Sequence, residues 1–149
     1  MDKKTFNKLT KAVFEENGFK KCSNYYLLLL QDISIVVRFS SWRGVKYFNY
    51  SFSINDLYDE SIPYNKRFDT VFEIKMEHTP TLRGYKAHEI LFEEYDEIQY
   101  REMLTNMLHR YFDPYKNNAM QYIKENEKYI SYRKEARLYL GLPAERKLD

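Results

Sequence analysis

Arg38, Trp42, Arg43 and Tyr47 bring two guanidinium groups and two aromatic rings into one short stretch of chain. Residues of these types are frequent energetic centres of protein interfaces, where rings supply desolvated contact and guanidinium groups supply directional hydrogen bonds. The same set could stack on bases and reach phosphates, so residue type alone does not choose between a protein and a nucleic-acid partner. Salt does choose, because binding that releases counterions from a polyanion weakens steeply as ionic strength rises. A structural reading competes with both, in which Trp42 plugs the core and the arginines are solvated.

The remaining residues that could do chemistry do not converge. His78, His88 and His109 lack the close pairing of a zinc-binding helix. His78 follows Glu77 and His88 precedes Glu89, but adjacent residues on a strand point in different directions. Ser40, Ser41 and Cys22 have no strained elbow and no base at fixed spacing to make a nucleophile of them. Gly18, Gly44, Gly84 and Gly141 match neither a dinucleotide fingerprint nor a phosphate-cradling loop. The acidic run Glu93, Glu94, Asp96 and Glu97 lacks the graded oxygen ligands of a calcium loop and reads as charge that favours a helix start. No catalytic residue, metal ligand or cofactor is assigned. An enzyme would need distant residues to meet on folding, with His88, His109 and the Glu93, Glu94 pair the first to inspect.

Three stretches of pattern must position these side chains. A helix is predicted over residues 3–17, with Phe6, Leu9 and Val13 at helical spacing, Gly18 free to close it in the left-handed conformation, and Phe19 folding back onto its last turn. Lys3, Lys4, Lys8 and Lys11 decorate it, and Lys20 and Lys21 follow, a basic start that reads as a solvated face. Strands are expected over 25–30 and 33–39, joined at Gln31 and Asp32, with Ile33, Ile35, Val37 and Phe39 inward and Arg38 outward. Residues 40–44 read as a turn-like loop before a strand that carries Phe48, Tyr50, Phe52 and Ile54 on one face. Residues 56–66 are a surface connection. A fourth strand then places Phe68, Phe72, Ile74 and Met76 inward against Asp69, Glu73, Lys75 and Glu77, and residues 87–92 read as a short strand or a turn-rich link.

The third stretch is helical. Asp96 and Gln99 stand at the spacing of a capping box, ahead of a stripe of Tyr100, Met103, Leu104, Met107, Leu108 and Tyr111. Asp113 and Pro114 are expected to reset the chain, Asp113 capping a new helix with Pro114 in its first turn. A last helix over 129–140 should bury Tyr132, Ala136, Tyr139 and Leu140 and leave Arg133, Lys134 and Arg137 on another side.

At 149 residues the chain has the usual size of one domain, so residues 1–149 are read as a single unit. A formal charge of +2 is too small an excess to imply a polyanion partner. With Cys22 alone no internal disulfide can form, and no apolar run reaches membrane-spanning length, so a cytoplasmic location and no membrane partner are expected.

The helix end Asn17-Gly18-Phe19-Lys20-Lys21, the run from Tyr25 through Phe39, and Phe48-Asn49-Tyr50-Ser51-Phe52-Ser53-Ile54 together resemble an uncharacterised family of small bacterial proteins, domain of unknown function 4304. The likeness covers about the first third of the chain. It implies a small bacterial α+β domain and brings no activity or catalytic residue with it. The reading is therefore an α+β fold with a predominantly antiparallel sheet, one N-terminal helix and two or three C-terminal helices, a mixed sheet being the alternative. Residues 25–30 are apolar in both side-chain phases, as in a strand covered on both faces; an uncovered face would favour a homodimer. The function expected is a non-catalytic protein-binding module, an immunity or host-interaction protein of a bacterium or mobile element, contacting its partner through Arg38, Trp42, Arg43 and Tyr47. Nucleic-acid binding and an uncharacterised enzyme are the alternatives.

Overall fold

The computed structural model describes residues 1–42, 45–74, 90–126 and 132–145. Helix α1 (Lys3–Glu16) starts at Asp2, whose carboxylate accepts from the Thr5 amide at 2.7 Å. It buries Phe6, Thr10, Val13 and Phe14. Its end is fixed by two amides that reach back to the last turn, Gly18 to Glu15 and Phe19 to Phe14. Gly18 sits at φ +89, which side-chain-bearing residues rarely adopt.

Among the described residues five strands follow: β1 (Lys20–Cys22), β2 (Tyr25–Leu29), β3 (Ile33–Trp42), β4 (Val45–Ile54) and β5 (Thr70–Glu73). They pair antiparallel in chain order, an up-and-down meander. The α+β reading with an antiparallel sheet therefore holds, and β2 lies between two strands as its apolar composition implied. β1 was not anticipated. Its three residues are too few to show a period, and they pair with β2 only because Ser23 turns the chain at a positive φ of 42.

Register sets the faces. Val37 opposite Tyr26 and Tyr50, Ile35 opposite Leu28 and Phe52, and Phe39 opposite Phe48 share one side of the sheet. Against that side lie α1 and α2 (Glu97–Glu125), whose Tyr100, Leu104, Leu108, Phe112 and Tyr115 complete the core. The large aromatic content is spent here. Phe14 stacks on Tyr26 at 4.1 Å, and Tyr50 meets Phe112 edge-on at 5.0 Å. The other side of the sheet is also covered in part. Leu27 and Val36 are buried there beside Ser34, Ser51 and Ser53. The connection 55–69, with two short 3₁₀ turns, runs across that side and is held to β3 through the Arg38 guanidinium. Leu29 on β2 stays exposed on that side.

Several expectations are corrected. Residues 40–42 are strand, since Ser40, Ser41 and Trp42 pair with Tyr47, Lys46 and Val45; residues 43 and 44 lie outside the described residues. Two consecutive serines looked like loop, but a paired strand supplies their backbone partners. Phe68 is exposed and Asp69 is buried, the reverse of the alternation expected. The period fails because residue 69 lies before β5 and its carboxylate is an acceptor hub. Asp69 takes the Ile54 amide at 2.7 Å, the Tyr58 hydroxyl at 2.8 Å, and two Arg133 nitrogens at 3.1 Å. Met76, Lys75 and Glu77 lie outside the described residues.

The capping box of Asp96 and Gln99 forms as expected. Asp113 and Pro114 do not reset the chain: α2 runs through Pro114 and breaks only at Asn118, at φ −151 and ψ 83. Burial of Phe112, Tyr115 and Ala119 outweighs the roughly 3 kcal/mol that an interior proline costs. The new cap is Asn118, whose Oδ1 accepts from the Gln121 amide at 3.1 Å. The last helix, α3 (Lys134–Tyr139), is shorter than expected, and residues 129–131 lie outside the described residues. Tyr139 is exposed, donating to Asp56 at 2.7 Å, and Arg137 is buried with Nε on the Pro143 carbonyl at 2.7 Å. Helical spacing misplaced both because the six-residue helix turns Ala136 and Arg137 inward together.

Candidate binding groove

Between α1 and the near end of the sheet lies a half-open groove of about 620 Å³. Its floor is aromatic. Phe6 packs on Phe39 at 5.3 Å, and Tyr26 supplies the third ring. Three lysines stand around the floor, Lys8 and Lys11 one turn apart on α1 and Lys21 on β1, with Asn7 and Asn24 adding amide groups. Lys8, Lys11 and Lys21 are all solvent-exposed, whereas Phe6 and Tyr26 are buried and Phe39 is partly open.

The positions follow from the local folding. Phe6 and Thr10 are one turn apart on the buried face of α1, and Lys8 and Lys11 lie on its exposed side. Lys21 is the register partner of Tyr26, and its ammonium stands 4.5 Å above the Tyr26 ring, which steadies it at the rim. Thr10 anchors the back wall by a 2.7 Å bond to the buried Tyr100 hydroxyl.

Charge in the groove is one-sided. Among the described residues that line it none is acidic. Lys11 reaches Glu15 at 3.7 Å, an exposed pair that solvent screens heavily, while Lys8 and Lys21 form no ion pair among the described residues. Burial, and then the nearby Glu15 charge, push the Tyr26 hydroxyl up to about 12, so it stays neutral. The groove thus offers ammonium donors over a neutral aromatic surface.

The residues singled out from sequence are separated from it. Arg38 and Tyr47 lie on the opposite side of the sheet, at register positions facing Asn49 and Ser40. Arg38 is half-buried and engaged within the fold, donating to the Asn65 carbonyl at 2.6 Å and to Ser51 at 3.3 Å. Burial lowers its guanidinium from the ordinary value. Trp42 ends the described part of β3 opposite Val45, and Arg43 lies outside the described residues. The groove itself was missed because its lysines were read as a solvated helix face; Lys8 and Lys11 at one-turn spacing ahead of Lys20 and Lys21 were the available signal.

The sites weighed for chemistry do not assemble. His78 and His88 lie outside the described residues. His109 is exposed on α2, with Nδ1 2.8 Å from Asp113 Oδ2, and this bond together with Lys116 holds the Asp113 carboxyl below the usual carboxylate range. Thirteen residues separate His109 from the cap at Asp96, about 20 Å of helix, so Glu93 and Glu94 are out of its reach. Cys22 is a half-buried free thiol. Among the described residues no group of His, Cys, Asp or Glu is placed to hold a metal ion, and no helix is long and apolar enough to cross a membrane. No protein-family model, no curated protein and no solved structure matches the chain.

Proposed function

We propose that the chain is a non-catalytic protein-binding module whose contact surface is centred on the groove between α1 and the sheet. The observation that supports this reading is the groove itself, an aromatic depression bordered by Lys8, Lys11 and Lys21, of which only Lys11 pairs with a carboxylate among the described residues. Phe39, the partly open ring, is the aromatic contact, and cations at a polar rim give register and on-rate. Phe39 belongs both to the floor and to β3; Arg38, Trp42, Arg43 and Tyr47 of the following hairpin are proposed as a second contact, apart from the groove. Arg38 also holds the 55–69 connection against the far side of the sheet. An immunity or host-interaction role in a bacterium or mobile element is part of this proposal, and the lone cysteine of the sequence fits a reducing cytoplasm.

The test is to isolate a partner complex from native lysate and map lysine reactivity with and without the partner. Lys8, Lys11 and Lys21 should be protected, while Lys116, Lys124 and Lys134 on α2 and α3 stay reactive. Trp42→Ala should weaken the complex by about 2 kcal/mol while the unfolding midpoint stays put. Protection confined to α2 and α3 would defeat the reading.

A further inference from the structure

We infer that the 55–69 connection carries a further binding site, for a small organic monocarboxylate, built on the guanidinium of Arg67. The site lies across the sheet from the groove and does not depend on the protein-binding reading. Arg67 is only 6% exposed, yet no carboxylate pairs with it among the described residues. A buried cation without a counter-ion is costly, and at this corner the buried carboxylate of Asp69 is taken by Arg133. Asp59 does not fill the gap. Its carboxylate accepts the Ser61 amide at 2.8 Å, and that bond is the main influence holding it below the usual carboxylate range, with Arg67 the weakest.

The guanidinium is already ordered. Nε donates to the Ile62 carbonyl at 2.7 Å and Nη2 to the Asp59 carbonyl at 3.0 Å, and the group lies 4.4 Å from the centre of the Tyr64 ring. Those two bonds occupy one edge of the planar fork. The end of the fork, Nη1 with the second hydrogen of Nη2, keeps donors spaced for the two oxygens of a carboxylate. Nη1 makes no hydrogen bond among the described residues, and it is not sealed in, because the buried side-chain polar atom without a partner there is the Tyr95 hydroxyl alone. It therefore reaches solvent, and Arg67 lines, with Ser61, Ile62, Pro63 and Tyr64, an open depression of about 470 Å³, a volume suited to a small molecule. Ile62 and Pro63 are exposed there and offer apolar contact to the body of the ligand. Glu60 stands at the same rim, which disfavours a phosphate dianion more than a single carboxylate.

The experiment is a proton–nitrogen NMR titration of the full chain with sodium phenylacetate, followed at the amides of Ser61, Ile62 and Tyr64 and at the Arg67 Nε–H. The controls are 2-phenylethylamine and inorganic phosphate. Phenylacetate should shift these signals saturably, and each control should bind about tenfold more weakly or worse. Arg67→Lys keeps the charge but loses the fork and should weaken binding about tenfold. Glu60→Gln, at an exposed position, should tighten binding about twofold. Equal binding of the amine would overturn carboxylate recognition, and equal binding of phosphate would overturn the choice of a monocarboxylate. No saturable shift up to about 20 mM phenylacetate, or shifts confined to residues outside 60–67, would overturn the site itself. If Arg67→Lys fails to fold, Glu60→Gln decides, since unchanged or weaker binding in that variant would place the ligand away from this rim.

Discussion

Asp69 shows how much one carboxylate can organise. Its side chain is fully buried and accepts from a strand amide, a tyrosine hydroxyl and a guanidinium, so it ties β4, the 55–69 connection and the approach to α3 together. The guanidinium of Arg133 also lies 5.3 Å from the centre of the Tyr58 ring, and Arg67 lies 4.4 Å from that of Tyr64, so two arginines and two tyrosines pack around the same corner. Asp69→Ala would leave each of those donors without its acceptor and should destabilise by about 3 kcal/mol, read as a lower denaturant midpoint at unchanged slope. A loss under about 1 kcal/mol would mean that water replaces the carboxylate. Nothing near residue 69 in sequence announces this role. Arg133 is remote in the chain, and alternation with Phe68 and Phe72 argued for solvent; a buried charge becomes legible only once its partners are placed. Arg137 was misread for the same reason, because its acceptor is a backbone carbonyl of Pro143.

At the scale of elements, local signals fared better where they were satisfied locally. The Asp96 capping box and the Gly18 terminus each close within a few residues, and both were readable. Pro114 was also a local signal, yet packing of Phe112 and Tyr115 overrode it and moved the break to Asn118. Asn118→Ala should therefore cost about 1 kcal/mol through loss of the bond to the Gln121 amide, and Asp113→Ala much less. Equal effects from the two would place the cap at Asp113 after all, and thermal unfolding of both variants decides between them. The sheet was legible in the long strands, whose alternation spans many residues, and illegible in β1, where partner strand and turn do the specifying. The groove belongs to no single element. Its floor comes from a helix and two strands, so only their juxtaposition brings three solvated lysines around one depression.

Across the whole molecule the tyrosines set an alkaline limit. Burial pushes Tyr26 and Tyr50 up to about 12, and Tyr100 and Tyr115 are raised further, mainly by desolvation. A hydroxyl that ionises later in the folded state than in the unfolded one contributes stability fully present below the unfolded pKa of 10.0 and lost as pH rises through the folded value. Stability should hold up to about pH 10 and then fall steeply toward pH 12, with tyrosinate absorbance and loss of helical signal appearing together. Tyrosinate appearing at pH 10 from every ring in a folded protein would contradict it. The meander has a further consequence, for the order of assembly. Each strand pairs with its immediate neighbour in the chain, so the sheet closes short loops, whereas α1 must meet α2 across some 85 to 90 positions, at Glu16 with Arg101 and Thr10 with Tyr100. Helix docking is then the late step. Thr10→Ala should accelerate unfolding and leave the refolding rate nearly unchanged, giving a φ-value near zero, whereas Val37→Ala at the centre of the sheet should slow refolding.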